Sequence, residues 1–211
     1  MQTGRGGFIT FEGIDGAGKS THVQACVQWL KDHGENVVLT REPGGSALAE
    51  TLRQLLLSED MQPDTEALLA FAARADHVQR VIRPALAAGQ WVVCDRFADS
   101  TFAYQGGGSG VDMQRLAQLE AWVLGGLAPV RTYLFDLPPE VAAARRAAVR
   151  EADRFEAREL AYFERVRQAY LDRVKAAPQR FVVLDATDTP EGVGARLLAD
   201  LADVYAGGPT P

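Results

Sequence analysis

Gly13-Ile14-Asp15-Gly16-Ala17-Gly18-Lys19-Ser20 decides how the rest of the chain is read. It spells G-x-x-x-x-G-K-S, a phosphate-binding loop. It follows the apolar run Phe8 to Phe11 and leads into a helical pattern from Thr21, the strand–loop–helix setting this motif needs. Glycines let successive backbone N–H groups converge on phosphate oxygens. The helix N-terminus behind them adds a partial positive charge. In that setting Lys19 reaches the β- and γ-phosphates of a nucleotide and the Ser20 hydroxyl offers a ligand to Mg²⁺. The run from Gly13 to Ser20, with Thr21 behind it, is the expected cofactor-binding segment.

Outward from this loop, short apolar runs recur at Val37 to Thr40, Trp91 to Cys94, Thr132 to Phe135 and Phe181 to Leu184, with helical segments between them. With Phe8 to Phe11 they read as five buried parallel strands of a doubly wound α/β sheet flanked by helices. Ligands of such sheets bind at the carboxyl ends of the strands. The chemistry-bearing residues fall there: the loop itself, Arg41-Glu42-Pro43-Gly44-Gly45, Asp95-Arg96, Asp136 and Asp185. Glu66 to Ala88 carries a long helical pattern that Pro84 should kink. Gln105 to Gly110, with three consecutive glycines, reads as a flexible loop. The tail from about 207 to 211 is expected to be disordered.

A chain of 211 residues suits one α/β domain with a small lid, and about 70% of its unfolded surface should be buried. The net charge of −6 argues against a nucleic-acid binder that relies on a global positive field. The two cysteines, Cys26 and Cys94, lack metal-ligand spacing and read as buried reduced thiols. No apolar run is long enough for a signal peptide or a membrane span. A cytoplasmic protein is the expectation.

Asp95 closes a hydrophobic strand, where P-loop enzymes keep an acid that holds Mg²⁺ directly or through water. It reads also as a helix cap. Arg96 beside it suits phosphate oxygens. Asp15 is awkward next to a triphosphate, which suggests a specific task such as a sugar hydroxyl or a metal. Phe71 and Arg74 are three apart and share a helix face; spacing alone reads them as a core ring beside an exposed cation. Arg146, Arg150, Arg154 and Arg158 are four apart and interleaved with acids. That stripe reads equally as a solvated, ion-paired face and as a lid that lays arginines over a transferred phosphate. His22, His33 and His77 receive no catalytic role.

Phe11-Glu12-Gly13-Ile14-Asp15-Gly16-Ala17-Gly18-Lys19-Ser20-Thr21, Arg41-Glu42-Pro43-Gly44-Gly45, Asp95-Arg96 and Tyr104-Gln105-Gly106-Gly107-Gly108 together resemble the bacterial thymidylate kinase family. The resemblance spans nearly the whole chain. It implies the nucleoside monophosphate kinase fold, ATP and Mg²⁺, a homodimer, and transfer of the γ-phosphoryl group to dTMP. It implies that Arg53 and Arg96 hold the dTMP phosphate and that Arg74 addresses the thymine carbonyl. Glu42, Thr101 and Gln105 would join the substrate site. Tyr104 would crowd a ribose 2′-hydroxyl, and Asp15 would take the 3′-hydroxyl or lie near the metal. The family form with glycine at the Gly16 position supplies its arginine from the lid. A lid at about 145–157 then makes Arg146, Arg150 and Arg154 catalytic candidates beside Lys19 and Arg96. The family's stacking Phe sits four before the substrate arginine, where this chain has Ala70; Phe71 is the stacking candidate here. A deoxynucleoside kinase, a monophosphate kinase for another base, and an ATP-driven switch protein share the P-loop and compete with this reading.

Overall fold

A computed structural model describes residues 6–147 and 159–208, and of Arg146 and Ala147 only the backbone. Five strands form one parallel sheet in the order β2-β3-β1-β4-β5: β1 (Phe8–Glu12), β2 (Val37–Arg41), β3 (Trp91–Asp95), β4 (Arg131–Asp136) and β5 (Phe181–Asp185). The three central strands are buried nearly end to end. The edge strands are not: Leu39 on β2 and Val183 on β5 are exposed. All five runs are apolar in sequence, so only the strand order distinguishes centre from edge. β1 pairs with β3 and β4, in registers that set Phe11 beside Asp95 and Glu12 beside Leu134. The loop after β1 therefore opens between its two neighbours, at the point where the strand order switches direction.

Helix α1 (Lys19–Asp32) and α9 (Pro190–Gly207) pack on the sheet with α7 (Pro139–Ala147) and α8 (Leu160–Ala176). The main core runs from Ile9 and Phe11 to Tyr133, Phe135, Phe163 and Leu197. A second cluster around Phe8, Val92, Phe97 and Ile82 covers the other face. Helix α2 (Ala47–Ser58) is capped by Ser46, whose hydroxyl accepts from the Ala49 amide at 3.3 Å. Helix α6 (Met113–Leu124) is capped by Asp112, which accepts from Gln114 and Arg115. Helix α3 (Pro63–His77) continues through a π-helical turn, Val78–Ile82, into α4 (Arg83–Ala87). The π turn lies just before Pro84, where the missing N–H and the ring disrupt the ordinary ladder.

The reading of Gln105 to Gly110 as a flexible loop is overturned. After the short helix α5 (Ala98–Thr101), residues Phe102–Gly108 are π-helical and mostly buried. Gly107 and Gly108 pack against α8, and Gly106 faces Met113 and Leu116 of α6. A β-carbon at Gly107 would come within 2.5 Å of the Ala169 β-carbon and 2.8 Å of the Arg165 carbonyl. Here glycine serves close approach of two helices rather than flexibility. At the other end of the chain α9 extends to Gly207, the first residue of the expected tail; 209–211 lie outside the described residues.

Candidate active site

Gly13, Gly16 and Gly18 all have positive φ, and Gly13 has a second reason to lack a side chain. A β-carbon there would lie 2.5 Å from the Phe135 carbonyl oxygen on β4. The loop they shape delivers Lys19 to the first turn of α1. Its ammonium, on a buried side chain, donates to the Gly13 and Ile14 carbonyls at 3.0 and 3.2 Å. Burial, with Arg96 nearby, lowers the amine to about 8. Ser20 and Thr21 stand exposed at the same helix start.

A cleft of about 800 Å³, open to solvent, lies beside this loop. Its wall joins five stretches of sequence: Asp15, Glu42 with Pro43, Arg53 with Leu56 and Leu57, Ala70 with Arg74, and Arg96 through Gln105. Glu42 and Pro43 are joined by a cis peptide bond. Arg96 spans the boundary between loop and cleft. One of its terminal nitrogens donates to the Gly13 carbonyl at 2.9 Å and to the Ser100 and Tyr170 hydroxyl oxygens at 3.2 Å each. The other donates to Asp15 at 2.7 Å and to the Tyr104 hydroxyl at 3.3 Å. Burial works to raise the Asp15 carboxyl, but Arg96 and Lys19 hold it well below the usual carboxylate range.

Arg96 is also the one non-glycine with positive φ among the described residues, at 67°. A left-handed conformation at such a residue costs roughly 1–3 kcal/mol and persists only where the surroundings over-determine it. Two amides do so. Arg96 N–H donates to the Phe11 carbonyl at 2.8 Å, and Phe97 N–H donates to the Glu12 carboxylate at 2.7 Å.

Arg74, 3% exposed, is wired from several sides. Its Nε donates to Glu42 at 2.7 Å, and one Nη donates to the Phe97 carbonyl and the Thr101 hydroxyl oxygen. Glu42 also accepts from His77, whose other ring nitrogen meets the Thr40 hydroxyl at 2.7 Å. Only Nη1 of Arg74 is buried without a partner. A buried guanidinium with one donor unmade and an open cleft beside it fits an acceptor oxygen on a ligand. Gln105 lines the same cleft and reaches Glu66 at 3.3 Å.

The family model for thymidylate kinase matches residues 11–196. The thymidylate kinase of Cupriavidus metallidurans is 61% identical over 183 residues, 87% of this chain and 91% of that protein. That of Thiobacillus denitrificans is 56% identical over 199 residues, 93% of this chain and 98% of that protein. Among solved structures, thymidylate kinase from Ehrlichia chaffeensis superposes with a TM-score of 0.76 at 34% identity, covering 93% of this chain and 98% of that one. The chain belongs to the thymidylate kinase family. Its members are phosphotransferases, and the five-stranded parallel sheet is the fold of nucleoside monophosphate kinases.

Of the residues that the resemblance to thymidylate kinase singled out, Asp15, Glu42, Arg53, Arg74, Arg96, Thr101, Tyr104 and Gln105 all line the cleft. Phe71 does not. It is 2% exposed in a cluster with Ala67, Phe102, Val111 and Leu116, while Ala70 faces the cleft. The Phe71 ring instead carries the Arg74 guanidinium at 4.6 Å, with Phe97 on it at 5.5 Å. The arginines Arg150 and Arg154, and the side chain of Arg146, lie outside the described residues. Asp136 and Asp185 end their strands as expected but face other work. Asp136 accepts twice from Arg167, at 2.6 and 2.8 Å, and Asp185 caps the turn at Thr187.

For Mg²⁺ the fit lies in the donors. Oδ1 of Asp95 is buried with no hydrogen-bond partner, the state expected of a carboxylate oxygen that meets a cation. No group of three or more His, Cys, Asp or Glu side chains that could hold a metal occurs among the described residues.

Sequence reading missed Ser100, Tyr170 and Glu12. Ser100 had a signal, four residues after Arg96. Glu12 sat inside a quoted motif without a role. Tyr170 lies far from the others in sequence and carries no spacing that marks it.

Proposed function

We propose that this chain transfers the γ-phosphoryl group of ATP to dTMP, giving dTDP and ADP, in Mg²⁺-dependent fashion, as a step toward dTTP. The observation that carries the reading is Arg96. One guanidinium touches both the P-loop carbonyl of Gly13 and the wall of the neighbouring cleft, where donor and acceptor phosphates would converge. The acceptor oxygen belongs to a phosphate that is already anionic at neutral pH, so no general base is required. Catalysis is then positioning and charge neutralisation. Arg53 and Arg96 would hold the dTMP phosphate. Arg74 Nη1 would donate to a thymine carbonyl, with Thr101 and Gln105 beside the base. Glu42 serves the site by holding Arg74. Asp15 would take the 3′-hydroxyl, and Tyr104 would crowd a ribose 2′-hydroxyl. Lys19 would leave its loop carbonyls for the β- and γ-phosphate oxygens, and an arginine among Arg146, Arg150 and Arg154 would join it. Ser20 and Asp95 would hold the Mg²⁺, which when bound offsets charge at those oxygens.

A homodimer fits the surface. Leu68 on α3 and Trp122 on α6 are 57% and 82% exposed and share an apolar groove with Leu119 and Val123. A cytoplasmic setting fits two buried free thiols and a nucleotide substrate pool. Among the described residues no helix is long and apolar enough to cross a membrane.

The test is ADP release from Mg-ATP with dTMP, dUMP, ribothymidine monophosphate, dCMP, GMP, thymidine or no acceptor. Turnover with dTMP should exceed every other arm. A larger response to another monophosphate would reassign the base, one to thymidine would make the chain a nucleoside kinase, and equal hydrolysis in all arms would make it a switch.

A further inference from the structure

Glu12 ends β1 one residue before the phosphate-binding loop, and it is fully buried. Its carboxylate sits among donors from three separate elements. Oε1 accepts from the Phe97 amide at 2.7 Å; Oε2 accepts from the Ser100 hydroxyl at 2.6 Å and the Tyr170 hydroxyl at 2.9 Å. Burial and the nearby Asp99 push this carboxyl up to about 7 against those hydrogen bonds and Arg96. A carboxylate at such a site is an odd choice for packing alone.

The geometry of the two hydroxyls suggests what it is for. Each has a single proton. With both protons directed at Glu12 Oε2, both oxygens present lone pairs elsewhere, and both lie 3.2 Å from the same Arg96 nitrogen. The Phe97 amide, held by the other carboxylate oxygen, is the one immediately after the left-handed Arg96. Glu12 thus acts on Arg96 twice, through the backbone that turns it and through the acceptors that orient its guanidinium.

We propose that Glu12 is a positioning residue for phosphoryl transfer, setting the Arg96 guanidinium across the mouth of the phosphate-binding loop through Phe97, Ser100 and Tyr170. The proposal rests on the reading of Arg96 as a contact to the transferring phosphates. Glu12→Gln tests it with little change of shape. The amide oxygen can keep the Phe97 bond, but the amide nitrogen donates where Oε2 accepted. The two hydroxyls, 2.9 Å apart, must then accept from that amide and turn their protons toward each other or toward the guanidinium, so that they offer it fewer lone pairs.

The experiment is a kinetic double-mutant cycle with Arg96→Lys, at about pH 8.5 so that a carboxyl with a value of about 7 is ionised. Glu12→Gln alone should lower kcat with dTMP about 10²-fold, with KM for ATP little changed. In the Arg96→Lys background the same substitution should cost no more than about threefold. Tyr170→Phe keeps the ring in the core and should cost about tenfold in the wild-type background, again with little effect beside Arg96→Lys. It carries the test if Glu12→Gln does not fold. Equal losses in both backgrounds, or full activity of Glu12→Gln, would overturn the proposal while leaving Arg96 in place. Wild-type turnover of Arg96→Lys would instead overturn the reading of Arg96, and the proposal with it.

Discussion

The phosphate-binding loop and the acceptor cleft meet at Arg96 but are built on opposite plans. The loop is backbone: glycines with positive φ, a helix N-terminus, and one ammonium resting on its own loop's carbonyls. The cleft is side chains, drawn from five stretches of sequence and wired to one another in advance. Arg74 is held by Glu42, Phe97 and Thr101, and Arg96 by Asp15, Ser100 and Tyr170. The loop needs only phosphate, a ligand without handedness or edge pattern, so a cradle of amides suffices. Under the proposed function the cleft has to discriminate among bases and sugars, and a donor discriminates only if it is fixed before the ligand arrives. The two regions should therefore fail differently.

The largest effect is expected from the arginines of the proposed lid. One of Arg146→Ala, Arg150→Ala and Arg154→Ala should lower kcat by about 10³–10⁵ with KM far less affected. Unchanged kcat in all three would make the stripe a solvated face and leave charge neutralisation to the two regions compared here. Next is Lys19→Met, expected to fold and to lose about 10²–10³ in kcat. Its stability should carry a pH signature as well. Burial lowers the Lys19 amine to about 8, while an unfolded lysine titrates near 10.4. Between those values the unfolded chain binds the proton and the folded one does not. Wild type should gain stability over Lys19→Met as pH rises from about 8 to about 10, read from urea midpoints. A flat difference would mean that the ammonium is as well solvated in the loop as in water. The smallest effect belongs to the cleft's support. Gly107→Ala should destabilise by about 1–3 kcal/mol through overpacking, seen as a lower Tm. An unchanged Tm would mean that α8 is free to recede.

The same contrast explains what could be read in advance. A backbone site is written contiguously, so Gly13 to Ser20 was legible from spacing and setting alone, and the five apolar runs matched the five strands. The cleft was legible only through resemblance, because Arg53, Arg74 and Tyr104 share no spacing that announces a common pocket. Two features were misread for definable reasons. Phe71 and Ala70 differ by one residue, which on a helix is a rotation of about 100°; that rotation moves the ring from the cleft to the underside of Arg74. The glycines after Gln105 read as slack because composition cannot see α6 and α8 lying against them. Glu12 was invisible for a third reason: its partners come from α5, α8 and the residue after Arg96, none near it in sequence.

The contact between Gly107 and Ala169 has a consequence for how the sequence can drift. The gap between the two helices there holds one β-carbon, that of Ala169. If position 107 acquires a methyl group, a glycine at 169 relieves only one of two clashes, because the Arg165 carbonyl still lies 2.8 Å away; the two helices must part, and parting them disturbs Tyr104 and Gln105 on the cleft wall. Among descendants of this chain, 107 should therefore stay glycine whatever stands at 169.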